Sequence, residues 1–267
     1  MPLIQSIILG LVQGLTEFLP VSSSAHLVLV PNFLGWEPSP VLFDIFLHLG
    51  TLVAVLVYFR KDILGLFSSR SSLLTVLIVA CVPTAIIGFL FKGFFEKLFE
   101  NPAGVSVLLL VTGFLLWFSS RRATRPANLA GKLSDPQGRR ATISYADALW
   151  IGIAQGAAIA PGISRSGATI STGLLRGLSG EEAARFSFLL SIPAILGALV
   201  FKLKDLSSTV HGPQSTAYMI GGAVAGLAGY GALKIVFKAL KAGRFKYFAL
   251  YCWALGTIGI LSVLVRG

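Results

Sequence analysis

Six long apolar runs dominate this 267-residue chain: Leu42–Phe59, Leu73–Phe91, Ala103–Phe118, Phe186–Phe201, Ala217–Phe237 and Tyr247–Val265. A helix needs roughly 20 apolar residues to cross a bilayer, so each run predicts a transmembrane helix. The composition agrees. Hydrophobic residues make up 55% of the chain and charged residues 12%, with a mean hydropathy of +0.81. A soluble domain carries about 25% charged residues, so an ordinary soluble globule is excluded, as is disorder. In a soluble protein a net charge of +11 would suggest nucleic acid. Here it predicts basic loops facing an anionic leaflet, and no nucleic-acid partner. Cys81 and Cys252 sit inside apolar runs without metal or disulfide spacing and read as small buried hydrophobes.

Two further apolar stretches are broken. Leu3–Leu34 is interrupted at Glu17-Phe18-Leu19-Pro20-Val21-Ser22-Ser23-Ser24, and Ala146–Leu178 at Pro161-Gly162-Ile163-Ser164-Arg165-Ser166-Gly167. Proline ends one helix and serine caps the next, so each stretch predicts two short helices around a polar turn. A hairpin of this kind can enter the membrane and return, because broken backbone is tolerated at that depth only where it lines a polar, protein-buried cavity. A signal peptide is not the expected reading of the first stretch, which lacks Lys and Arg and carries Gln13 and Glu17. The two stretches resemble each other: Gln13-Gly14 precedes Pro20 and three serines, and Gln155-Gly156 precedes Pro161 and Ser-Arg-Ser. Each is followed by three spans. Three is odd, so the second copy enters from the opposite face, and the two turns meet near the midplane, as in inverted-repeat transporters.

The predicted fold is therefore an all-α polytopic membrane protein, with six transmembrane helices plus two re-entrant helix–loop–helix hairpins in an inverted-topology repeat. A single membrane domain fills the chain: a first repeat over 1–120 with its hairpin at 3–34, a cytoplasmic loop at 121–142, and a second repeat over 143–267 with its hairpin at 146–178. Basic residues set the orientation. Sixteen, including Arg60, Arg121, Arg185 and Lys241, fall on one side and five, including Lys92 and Lys97, on the other. The positive-inside rule then places both termini outside.

Gln13 and Glu17 are four apart and share a helix face. An acid in an apolar membrane segment is costly and functional by default. Glu17 can ligate a hard divalent cation, act as a base, or pair with Arg165. Ser22, Ser23 and Ser24 at a helix start offer hydroxyl and backbone donors to an anion; one of them is expected to be a cap. His26, beside serines and an acid, suits a general base or acid. In the second turn Arg165 offers a planar fork for phosphate, Ser164, Ser166, Thr169 and Ser171 add hydroxyls, and Gly162 and Gly167 allow close backbone approach. Asp44 and His48, also i and i+4, are expected to hydrogen-bond each other behind the site. His211 reads as a solvated loop residue. Together these groups describe an anion site inside an apolar protein, which suits a phosphate carried on an amphiphile.

Gln13-x-x-x-Glu17, Pro20-Val21-Ser22-Ser23-Ser24-x-His26 and Pro161-Gly162-x-Ser164-Arg165-Ser166-Gly167-x-Thr169 together resemble the undecaprenyl-diphosphate phosphatase (bacitracin-resistance) family, as do the segments Leu47–Leu52 and Arg185–Pro193. The resemblance covers nearly the whole chain. It implies a multi-pass phosphatase of the bacterial cytoplasmic (inner) membrane, reached from the external side. Such an enzyme removes one phosphate from a polyprenyl diphosphate lipid, recycles the carrier for cell-wall synthesis and confers bacitracin resistance. It also implies a divalent cation, Mg²⁺ or Ca²⁺. Carried over by position, Glu17, Ser23, His26 and Arg165 form the catalytic core and Glu17 with Gln13 the metal site. From the residue reading above, Ser22, Ser24, Ser164, Ser166, Gly167 and Thr169 are expected to contact substrate, with Asp44 and His48 behind them. The implied chemistry is attack by Ser23 with His26 taking its proton, or water activated directly by His26. A homo-oligomer is compatible with the sequence. So is a different class of protein, a lipid-phosphate flippase or anion transporter built on the same repeat. A membrane phosphatase with a histidine nucleophile is disfavoured, since His211 is the only histidine after Arg165.

Overall fold

The computed structural model describes residues 1–66, 72–123, 143–206 and 215–266. Residues 124–142 of the expected cytoplasmic loop, and His211, lie outside them. Among the described residues there are twelve helices and no strand: α1 (Leu3–Phe18), α2 (Ser23–Leu34), α3 (Val41–Tyr58), α4 (Arg60–Leu66), α5 (Ser72–Leu90), α6 (Lys92–Phe99), α7 (Pro102–Ala123), α8 (Tyr145–Ala157), α9 (Arg165–Leu175), α10 (Gly180–Leu206), α11 (Ser215–Lys241) and α12 (Lys246–Arg266). Six of them, α3, α5, α7, α10, α11 and α12, are long and apolar enough to cross a membrane, and each coincides with one predicted run.

The polarity of the molecule is that of a lipid-embedded protein. Large apolar side chains such as Phe89, Leu227 and Val265 point outward, while Ser6, Gln13, Glu17, Thr51, Thr112 and Ser171 are buried. Helix α1 shows this within one element. Its face of Ser6, Leu9, Gly10, Gln13, Gly14 and Glu17 is buried, and Leu3, Ile4, Leu11 and Leu15 are exposed.

Small residues set how closely the helices approach. Helix α11 supports both α1 and α3. A methyl group on Gly50 would lie 1.9 Å from the Gly222 carbonyl oxygen, and one on Gly10 would lie 2.5 Å from that of Gly221. Helix α8 meets α5 in the same way, with a Gly152 methyl 2.1 Å from the Ala80 oxygen. Without a hydrophobic drive between helices in lipid, such backbone approach supplies the packing. Helix α7 lies against α12 and α9, and α10 against α9 and α3.

At one end of the bundle, Arg185 of α10 meets Asp62 of α4 at 2.6 Å and Lys241 of α11 meets Glu181 at 3.4 Å. Arg176, just after α9, meets Asp147 in the first turn of α8 at 2.7 Å and closes the open end of that helix pair. Ser144 and Asp147 form a reciprocal cap that starts α8.

Candidate active site

Helix α1 stops at Phe18 because Pro20 pushes Leu19 into an extended conformation, φ −63° and ψ 141°. The chain turns and re-enters a helix at Ser22, whose hydroxyl accepts from the Ala25 amide at 3.4 Å. Ser22 sits at φ +65°, the one positive φ outside glycine among the described residues. Such a conformation costs of order 1–3 kcal/mol and persists only where the surroundings enforce it. The second turn follows the same plan. Gly162 takes φ +102°, and a Cβ there would lie 2.3 Å from the Val105 oxygen, so both backbone and space require glycine. Ser164 then caps α9, accepting from the Gly167 amide at 3.1 Å.

The two turns are joined directly. The Gly162 amide donates to Ser24 Oγ at 3.4 Å, and Ser166 Oγ donates to the Leu19 carbonyl at 3.1 Å. Neighbouring long helices hold each turn. Thr112 of α7 donates to the Gly162 oxygen at 2.9 Å and accepts from the Ser164 amide at 3.0 Å, while Cys252 of α12 donates to the Pro20 oxygen at 3.7 Å.

Glu17 stands where the turns meet and is 8% exposed. Its Oε1 receives the Arg165 Nη2 donor in an ion pair across the two turns. Its Oε2 accepts from Ser23 Oγ at 2.6 Å and from Gln13 Nε2 at 3.0 Å. Among the described residues, two buried atoms of this cluster have no partner: the Gln13 carbonyl Oε1 and the Arg165 Nη1 donor. A buried donor or acceptor left unmatched costs about 1–3 kcal/mol. The cluster therefore presents one spare acceptor and one spare cationic donor, beside two helix starts whose first amides are free of helical bonds.

The structure brings Gln13, Glu17, Ser23 and Arg165 into one hydrogen-bonded group, and it differs from expectation at His26. That ring is not joined to Ser23. Its Nδ1 lies 2.7 Å from the Ser22 carbonyl oxygen and its Nε2 lies 2.7 Å from the Tyr251 hydroxyl. Ser23 instead donates to Glu17, because the sharp turn at Ser22 aims it back along α1. Asp44 and His48 differ too. His48 Nδ1 reaches the Asp44 main-chain oxygen at 2.7 Å, and the Asp44 carboxylate accepts from Ser39 Oγ at 2.6 Å. Several hydroxyls expected to face an anion are engaged within the protein. Ser22 and Ser24 lie 3.1 Å apart, Ser164 caps, Ser166 bridges, and Thr169 donates to the Arg165 oxygen and meets Ser187 at 2.6 Å. Ser171 meets Ser119 at 2.8 Å. Tyr251 and Thr112 are absent from the expected site, and Cys252, expected only as a small buried hydrophobe, also holds the first turn; each is a lone polar group in an apolar run, with no motif to mark it.

The donor set bears on a divalent cation. Among the described residues no three of His, Cys, Asp and Glu gather as a metal cage. Glu17 supplies carboxylate oxygens, and Gln13, joined to it through Nε2, keeps an unmatched carbonyl Oε1, so both residues offer hard oxygen. That fits the way Mg²⁺ is held by one or two protein oxygens together with substrate phosphates.

Residues 6–258 match the family described as bacitracin resistance protein BacA. The undecaprenyl-diphosphatase of Carboxydothermus hydrogenoformans is 45% identical over 263 residues, 97% of each chain. That of Halothermothrix orenii is 43% identical over 271 residues, 100% of this chain and 99% of its own. That of Syntrophotalea carbinolica is 45% identical over 267 residues, 96% of this chain and 97% of its own. The matched span takes in both turns, the Glu17–Arg165 pair that joins them and Tyr251 in the last helix, and on that evidence the chain belongs to the bacitracin resistance protein BacA family.

Proposed function

We propose that this multi-pass membrane protein is a phosphatase that hydrolyses undecaprenyl diphosphate to undecaprenyl phosphate and inorganic phosphate, returning the lipid carrier to cell-wall synthesis. Bacitracin resistance follows from the family. The observation that carries the reading is the Ser23–Glu17–Arg165 cluster, with an unmatched guanidinium donor at its edge. That is a hydroxyl nucleophile with a carboxylate on its proton, next to a phosphate-binding fork.

The roles follow from the geometry. Arg165 Nη1 and the N-terminal ends of α2 and α9 bind the terminal phosphate and the charge that grows on it. Ser23 Oγ attacks the terminal phosphorus while its proton passes to Glu17 Oε2, its partner at 2.6 Å. The bridging P–O bond breaks and undecaprenyl phosphate leaves. Water then attacks the phosphoserine with its proton taken up by His26, and Ser23 recovers a proton from Glu17. In a second reading water attacks the lipid diphosphate directly with His26 as base; the lack of a bond between His26 and Ser23 favours it. A divalent cation would be held by Glu17 and Gln13 Oε1 together with diphosphate oxygens, where it supplies charge neutralisation.

The topology belongs to the same reading. Helices α1–α2 and α8–α9 act as re-entrant hairpins of two inverted repeats. Reciprocal packing supports this, since α1 lies on a long helix of the second half and α8 on one of the first. The pairs Asp62–Arg185 and Glu181–Lys241 join residues that the charge bias assigns to the cytoplasm. The α1–α2 hairpin then opens to the external face of the cytoplasmic membrane, with both termini outside.

Phosphate release from a polyprenyl diphosphate by the purified protein in detergent, with and without chelator, tests the reading. Detergent abolishes compartments, so a flippase or transporter releases no phosphate there. Release that chelator suppresses is the expected result.

A further inference from the structure

Both nitrogens of His26 are occupied, and the ring is 5% exposed. A carbonyl oxygen only accepts, so the Ser22 oxygen at 2.7 Å requires a proton on Nδ1. The neutral ring therefore keeps its lone pair on Nε2. That lone pair is filled by the Tyr251 hydroxyl at 2.7 Å, with the two rings nearly parallel, 3° between planes. Tyr251 itself is 46% exposed on α12, so the buried imidazole is bonded to a residue that is not itself sealed in the core. Neither nitrogen of His26 is open to a water molecule. The Nδ1 side is closed by main chain held in the strained Ser22 conformation. Any proton that His26 accepts at Nε2 has one hydroxyl in its way.

We propose that Tyr251 relays the proton between His26 and the reacting water. The water O–H bond breaks as its proton passes to the Tyr251 oxygen, and the original Tyr251 proton passes to Nε2. Tyr251 ends neutral, His26 ends as imidazolium, and the water oxygen forms its bond to phosphorus. A phenol suits this task because one oxygen both donates and accepts. The same hydroxyl accepts from Nε2–H when the proton returns.

Tyr251's role rests on His26 serving as the base in the proposed reaction. Tyr251→Phe keeps the ring and plugs the gap, so kcat is expected to fall at least tenfold with KM within about twofold. Tyr251→Ser opens a space in which water can replace the phenol, and its kcat is expected to exceed that of Tyr251→Phe. A packing role gives the opposite order, since the smaller residue loses more contact. Ring-¹⁵N spectra, assigned by comparison with His26→Gln, are expected to show a neutral Nδ1–H tautomer in the wild type and a displaced Nε2 signal in Tyr251→Phe. Wild-type kcat in Tyr251→Phe beside an inactive His26→Gln overturns the relay alone, as does Tyr251→Phe outperforming Tyr251→Ser. Wild-type activity in His26→Gln overturns the catalytic role of His26, while the ¹⁵N spectra still decide whether Tyr251 fills Nε2.

Discussion

Arg165→Lys separates phosphate recognition from charge balance. In the resting site the guanidinium is divided: Nη2 serves Glu17, and Nη1 is buried without a partner among the described residues. A lysine keeps one positive charge opposite Glu17, so the buried carboxylate stays compensated and the fold is expected to survive. By contrast, Arg165→Ala strands that carboxylate, which costs about 3–5 kcal/mol for a buried pair. What lysine cannot do is hold Glu17 and the phosphate at once in fixed planar geometry. One or two charge-assisted hydrogen bonds to phosphate are lost, each about 1.5–3 kcal/mol. At 1.36 kcal/mol per tenfold, kcat/KM is expected to fall about ten- to ten-thousand-fold. The assay is steady-state phosphate release from a polyprenyl diphosphate in detergent, with thermal unfolding measured alongside. A loss mainly in kcat marks binding of the transition state, and a loss mainly in KM marks binding of the ground state. Arg165→Lys with unaltered kcat/KM would refute the phosphate role and leave the arginine as Glu17's counter-charge.

Glu17→Gln keeps the shape of the cluster but loses the carboxylate that accepts the Ser23 proton, so kcat is expected to drop about 10²–10⁴-fold; near-wild-type turnover of the folded variant removes Glu17 from the chemistry. Gly50→Ala places a methyl group 1.9 Å from the Gly222 oxygen, and overpacking of about 1–3 kcal/mol is expected to lower Tm in detergent; an unchanged Tm shows that α3 and α11 can part freely. With Cys81 and Cys252 replaced, a cysteine at exposed Lys97 is expected to react with an impermeant reagent in intact cells and one at Lys241 is not; the reverse pattern inverts the topology.

The spans were legible because uniform apolarity over some twenty residues has one structural outcome in water or lipid. The turns were legible for a local reason: Pro20 and Pro161 stop helices and Ser22 and Ser164 start them, and these effects act within three residues. Short helices α4 and α6 went unread because seven or eight residues of mixed charge carry too little periodicity. Motif residues marked where the site lies but not how its protons are shared. Whether Ser23 faces Glu17 or His26 depends on the positive φ of Ser22, a backbone state with no residue signature outside glycine and asparagine. Tyr251 lies 225 positions from its partner, and Thr112 lies 52 from Ser164; long-range pairs of single polar groups leave no pattern in one sequence.

The nucleophile is tested by kcat for purified Ser23→Ala at saturating undecaprenyl diphosphate, beside Ser22→Ala and Ser24→Ala. Ser23→Ala removes the proposed nucleophile and leaves Arg165 and the backbone donors in place. Turnover at least about a thousand-fold below wild type is expected, with KM nearly unchanged, and smaller losses for the two neighbours that cap and bridge. Ser23→Ala turning over within tenfold of wild type while His26→Gln is inactive would contradict attack by Ser23 and make His26-activated water the attacking group.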